Sequence, residues 1–307
     1  MKCEMCALTP SNGPQTTLQT VRLEMSHHPG GSRRDVYVQV GASDGDGSRE
    51  RPYGGIREVL EKHREDWGQV FLGPGIYRED VVIERDGMWL FPWKQYDVVV
   101  EGSITIKGRG NAIRGLSFRS LDRAIVVAAG AEGCEIQNNR VLELGDGGVG
   151  LHLEGGAFAI GNVVDLQGCD AKGTTGVRVQ MASGVEALCL DHNRIAGVGC
   201  GIRILGLHGE IPGPLRLTHN EVRDCQIGVQ GALDHLIFRY NHIWRCDGME
   251  VGGNAGAIAG NTIHHISDGS WKVDSDPDQI FPDTPAIQRT VHVACDAANG
   301  GDPKGRS

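Results

Sequence analysis

Gln137-Asn138-Asn139-Arg140-Val141 is the first clear copy of a phrase that recurs down the chain. It returns as Ile160-Gly161-Asn162-Val163-Val164, Asp191-His192-Asn193-Arg194-Ile195 and Thr218-His219-Asn220-Glu221-Val222. Arg239-Tyr240-Asn241-His242-Ile243 and Ala259-Gly260-Asn261-Thr262-Ile263 complete the series. An asparagine is fixed in each copy, with a β-branched apolar residue two positions later. The steps between these asparagines are 23, 31, 27, 21 and 20 residues. A period in this range, carried by short apolar strands, marks a solenoid. Successive rungs of such a stack lie about 4.8 Å apart, close enough for side-chain amides to hydrogen-bond into a ladder. One asparagine per coil suits a ladder; a ligand contact would not need repeating in every coil.

Working outward, each coil adds a second strand preceded by glycine: Val149-Gly150-Leu151-His152-Leu153, Val177-Arg178-Val179, Ile202-Arg203-Ile204 and Met249-Glu250-Val251. Alternation sends the apolar members inward and His152, Arg178, Arg203 and Glu250 outward. Gly148, Gly176, Gly201, Gly228, Gly248 and Gly269 stand before these strands, where a sharp corner would use a positive φ. Upstream, Val36 to Val40 alternates as a strand. Ile56, Val59, Leu60 and Trp67 have helical spacing, and a helix over 54–67 would cover the open end of the solenoid. Residues 1–34 show no periodicity and read as a flexible leader. The solenoid then spans 35–273, and 274–289 is an Asp/Pro-rich linker. Residues 290–307 echo the entry: Val291-His292-Val293 and Asn299-Gly300-Gly301-Asp302 resemble Val36-Tyr37-Val38 and Asp44-Gly45-Asp46-Gly47. They read as the start of a second module, or as a polar tail.

Composition agrees. Glycine is abundant, 46 of 307 residues, and aromatics are only 5%, which favours short strands and tight turns over a helical globule. The net charge of −9 gives no footprint for nucleic acid. No apolar run approaches a membrane span. Met1 to Asn12 lacks the apolar core of a secretory signal, so an extracellular or cell-surface location follows only if the gene starts elsewhere. Nine cysteines form no disulfide framework, and Cys3-x-x-Cys6 has no second pair to make a zinc site. Cys200, Cys225 and Cys246 fall near one column and read as buried thiols.

The fold class is therefore all-β, a right-handed parallel β-helix with an N-terminal capping helix. The pattern resembles the β-helix proteins of the pectate-lyase-like superfamily over 35 to about 273. Tyr37-Val38, Asp44-Gly45-Asp46-Gly47, Arg51-Pro52-Tyr53 and Gly73-Pro74-Gly75-Ile76-Tyr77-Arg78-Glu79 are similar to the opening of many carbohydrate-active members. The resemblance implies polysaccharide as partner and an activity among lyase, epimerase and glycosidase, with non-catalytic carbohydrate-binding or structural modules as the alternative.

The residues themselves offer a groove. His152, Arg178, Arg203, Gln230, Glu250 and then Trp271 or Lys272 would stack on one outer face, and two arginines suit a uronic-acid polymer. Asp247 and Asp268 each precede a glycine and would stack about 5 Å apart, with Glu250 beside them. Such carboxylates could act as acid and base, or bind a divalent cation such as Ca2+. The other reading is that they cap corner amides. Asp274-x-Asp276-x-Asp278 lacks the glycine and distal glutamate of a calcium loop. Asp191-His192-Asn193 is similar to a short pectate-lyase motif, but its asparagine sits on the ladder position of every coil, which points to a structural role.

Overall fold

A computed structural model describes residues 4–8, 18–22, 34–63, 68–93, 97–167, 171, 173–180, 185, 187–205, 215–232, 236–252 and 257–273. The stretches read as a linker, 274–289, and as the start of a second module or a polar tail, 290–307, lie outside the described residues. Two compact units are present, residues 1–32 and 33–307. In the first, Glu4–Leu8 pairs antiparallel with Leu18–Arg22. Strands thus stand where the sequence shows no periodicity.

The second unit is a coil of parallel strands. One face, sheet A, stacks ten strands from Arg34–Val38 to Ala257–Ala259. A second face, sheet B, runs from Gly75–Tyr77 through Arg194–Ala196 to Glu221–Arg223. A third, sheet C, runs from Val81–Ile83 through Thr175–Val179 and Cys200–Ile204 to Ile227–Ala232. Sheets B and C merge at the end because His242–Gly252 pairs with both, and Thr262–Val273 adds to it. The architecture is the right-handed parallel β-helix that the repeat implies.

The asparagines form one file. Asn139, Asn162, Asn193, Asn220, Asn241 and Asn261 are all buried at 1–2% exposure. Each Nδ2 donates to the Oδ1 of the next asparagine at 2.9–3.1 Å, from Asn139 through to Asn261. Each Oδ1 also accepts the backbone N–H one coil below, as Asn193 does from Asn162 at 3.0 Å. Each Nδ2 donates as well to a sheet A carbonyl of the coil below, Ala159 O in the case of Asn193. The ladder thereby satisfies backbone groups that the turn from sheet A to sheet B removes from sheet pairing.

That turn needs a left-handed residue, and the residue before each asparagine supplies it. Asn138, His192, His219 and Tyr240 have φ of 52–55°, and Gly161 and Gly260 take φ of 66° and 65°. The glycines expected at corners have another reason. Gly148, Gly176, Gly201 and Gly228 are not in the positive-φ region. Gly150, Gly176, Gly201 and Gly228 instead lie where a side chain has no room. A Cβ on Gly176 would sit 2.4 Å from Ile195 Cγ2, and one on Gly201 would sit 2.4 Å from Val222 Cγ1. The β-branched residue two places after each asparagine fills that space. Gly201→Ala should therefore destabilise by about 2–3 kcal/mol in urea unfolding, since a backbone carbonyl at 2.5 Å blocks relaxation.

The core is aliphatic: Leu151, Leu153, Val177, Val179, Ile202, Val229 and Met249 are buried as alternation requires. Cys200, Cys225 and Cys246 are buried too, but not in one column. Cys225 and Cys246 lie on successive coils with their thiols hydrogen-bonded, a contact that together with burial pushes the Cys225 thiol up. Cys200 instead pairs in register with Ile227. Burial pushes its thiol up to about 11, so it is inert as a nucleophile near neutral pH.

The N-terminal helix, Ile56–Lys62, is shorter than its apolar spacing suggests and buries Ile56 and Val59. Gly55 gives no side-chain cap. The carboxylate of Glu79 serves instead, accepting from Ile56 N and Arg57 N at 2.9 Å each. Among the described residues no helix is long and apolar enough to cross a membrane.

Candidate functional site

Sheet C presents the anticipated groove. His152 pairs with Arg178, Arg178 with Arg203, Arg203 with Gln230, Gln230 with Glu250, and Glu250 with Lys272. Backbone register thus selects Lys272 for this column, while Trp271 pairs with Met249. Asp268, Trp271 and Lys272 are described in backbone only. Below His152 the file continues through Val126, Thr105 and Val82.

Charge is distributed unevenly along this file. Gln230 Nε2 donates to Glu250 Oε2, so Glu250 already has a partner. Arg178 and Arg203 make no ion pair among the described residues, and the Nε of each is buried without a hydrogen bond. Burial, then Arg203 and Arg123, push the Arg178 guanidinium down from its ordinary range. Asp122 offsets this only in part, so neighbouring cations raise the energy of the free groove and an incoming anion would lower it. His152 is only 3% exposed, although it lies on the outer side of the sheet. Its Nε2 is 3.3 Å from Glu154 Oε1, yet neither ring nitrogen is in hydrogen-bonding geometry. Burial holds the imidazole pKa below its ordinary value against the pull of Glu154, leaving it neutral at pH 7.

Asp247 and Asp268 do not occupy a corner. His242–Gly252 is one continuous strand, and its register against Thr262–Val273 shifts between Cys246 and Gly248. Cys246 pairs with Ile266 but Gly248 with Ser270, so one residue, Asp247, faces three, 267–269. This bulge replaces the one-to-one stack that equal spacing implies.

The structure adds a site that the strand C pattern alone did not show. A cleft of ≈ 890 Å³ opens where sheet B turns into sheet C. Carboxylates of Asp80, Glu101, Asp122, Glu143 and Glu154 line it, with Arg119 and Arg123. Glu101 bridges Arg78 at 2.9 Å and Arg119 at 3.5 Å. Arg119 pairs in register with both Glu101 and Glu143, which places their backbones two rungs, about 9.6 Å, apart. Glu143 has no ion-pair partner among the described residues. Leu121 is 86% exposed on the rim and offers an apolar surface for a sugar ring. Thr105 and Val126, in line with His152, form the floor, so cleft and groove are continuous. The signal for these acids lay in Asp122 at the bend after Ser117–Ser120 and in Glu143 near the end of the strand Arg140–Leu144.

A coil of three parallel sheets with a buried asparagine file at one bend decides the class of structure. The fold is a right-handed parallel β-helix. No protein-family model matches the chain, and no curated protein matches it. Among solved structures a rhamnogalacturonan lyase is similar, at 12% identity and a TM-score of 0.45, over 74% of this chain and 73% of that one. That likeness is one of fold alone.

Proposed function

We propose that this β-helix binds a uronic-acid polysaccharide along sheet C and processes it at the cleft. The observation that carries the reading is the pair Arg178 and Arg203, stacked in register with no ion pair among the described residues, on a file that leads to a carboxylate-lined cleft. Guanidinium groups hold carboxylates through paired hydrogen bonds, and a linear polymer runs along the solenoid axis as the arginines do.

The reaction that suits these groups is β-elimination. An arginine that neutralises a uronate carboxylate acidifies the adjacent C–H and stabilises the anion formed on its removal. Arg119 and Arg123 stand in the cleft for that role. Glu143 is the proton acceptor, and Glu154 beside the neutral His152 is a second group able to hold a proton. Asp247, Glu250 and Asp268 form an alternative acid set at the far end of the groove.

Incubation with polygalacturonate, alginate and hyaluronan separates the readings. Elimination gives unsaturated ends, seen by ultraviolet absorbance; hydrolysis gives reducing ends alone. We expect unsaturated ends from at least one polymer, reduced on the order of 100-fold in Glu143→Gln. Loss in Glu250→Gln with Glu143→Gln unchanged would move the chemistry to the far end. Binding without either product would leave a carbohydrate-binding module.

A further inference from the structure

On the bend from sheet A to sheet B, Asp191, His192 and His219 converge. Asp191 Oδ2 is 2.8 Å from His192 Nδ1, and Asp191 Oδ1 is 3.1 Å from His219 Nδ1. Thr218 Oγ1 donates to the same Oδ1 at 2.6 Å. The two imidazoles come from successive coils and stack at 4.7 Å between centroids, inclined by 17°. One ligand atom from each of the three residues, a carboxylate oxygen and one nitrogen of each imidazole, lies within 4.8 Å of the others. Both histidines occupy the left-handed position before the ladder asparagine, with φ of 54° and 52°. Other coils fill that position with Gly161, Gly260, Asn138 or Tyr240, and the Tyr240 ring stacks on His219 at 5.2 Å between centroids. The ladder explains the backbone and stacking accounts for rings in consecutive coils, but neither requires two imidazoles that both reach one carboxylate.

We infer that Asp191, His192 and His219 form a binding site for a divalent transition-metal ion, zinc being the best match. Zinc takes imidazole nitrogen at about 2.0–2.1 Å and carboxylate oxygen at about 2.0–2.2 Å. Ligand atoms around such an ion lie about 3–3.5 Å from one another, so the three ligand atoms, now within 4.8 Å, close in and the exposed imidazoles turn out of their stack to face the ion. The ion replaces the protons now shared between Asp191 and the two rings. Thr218 fixes the carboxylate as an outer-shell donor. Two imidazoles and one carboxylate leave the fourth tetrahedral position to water. His192 and His219 are 63% and 47% exposed, so an ion can enter from solvent. Because it stands across sheet B from the groove, the site is independent of the polysaccharide reading.

The test is calorimetric titration of the full chain with ZnCl2, together with the visible spectrum of added Co2+. The comparison is with His192→Asn/His219→Asn, which keeps a residue type that Asn138 shows the corner accepts, and with Asp191→Asn. The site predicts one zinc per chain more in the parent than in the double variant, and a tetrahedral Co2+ band present only in the parent. Affinity at this site should fall on the order of 100-fold in Asp191→Asn. Twelve histidines make weak binding elsewhere expected in every variant, so the difference between proteins is the readout. Circular dichroism confirms that the variants fold. Equal stoichiometry and affinity in parent and double variant, or a parent that binds neither metal, would overturn the assignment.

Discussion

Asn193→Ala is expected to lower the unfolding free energy by about 3–5 kcal/mol, the largest effect of any single polar substitution in the coil. Asn193 sits mid-ladder and is 1% exposed. Its Oδ1 accepts from Asn162 N at 3.0 Å and from Asn162 Nδ2 at 3.0 Å, and its Nδ2 donates to Ala159 O and Asn220 Oδ1. Truncation leaves a buried backbone N–H without its acceptor, a carbonyl without this donor, and a small void. Each unsatisfied buried group costs about 1–3 kcal/mol, because no water reaches it. Asn261→Ala should cost less, because Asn261 caps the described end of the file and serves one coil below. Urea denaturation of both variants checks the order. Equal, small losses would show that the amide file follows the coil without stabilising it.

The second large effect concerns ligand binding. Arg178→Ala/Arg203→Ala should weaken binding of a uronate polymer by at least roughly 100-fold, measured by calorimetry at fixed ionic strength, with the fold intact. Two charge-assisted contacts at about 1.5–3 kcal/mol each set that magnitude. In the free protein neither arginine has an ion-pair partner among the described residues, and burial, with Arg203 and Arg123 nearby, holds the Arg178 guanidinium below its ordinary range, so their removal should leave thermal stability unchanged or slightly higher. Arg→Lys at both sites keeps the charge but not the planar fork, and should recover only part of the affinity. A double alanine variant that binds as tightly as the parent would disconnect this groove from any anionic polymer.

Much of this was legible before any coordinates. The asparagine spacing implied the coil, and a single alternation rule placed His152, Arg178, Arg203, Gln230 and Glu250 in one file. Those inferences hold because they depend on periodicity: strand alternation and a fixed rung spacing turn sequence repeats into spatial columns. The acid pair at Asp247 was read with the same rule but meets a bulge, and a bulge changes the count by residues that leave no trace in composition. The corner glycines were assigned to dihedral freedom when their cause is crowding from Ile195, Val222 and Ile243 on another face. A residue's neighbour across the core is invisible to a local pattern.

What the chain alone determined is its course: the coiling itself, the buried amide file and the outward column on sheet C all follow from repeats along one dimension. What only the tertiary structure decided is which charges meet. The cleft joins Glu101, Arg119, Glu143 and Glu154, and the sheet A–B bend joins Asp191 to His192 and to His219 of the next coil. Those encounters depend on loop lengths, bulges and side-chain directions at the bends, where the period breaks and the rule linking sequence position to space no longer applies.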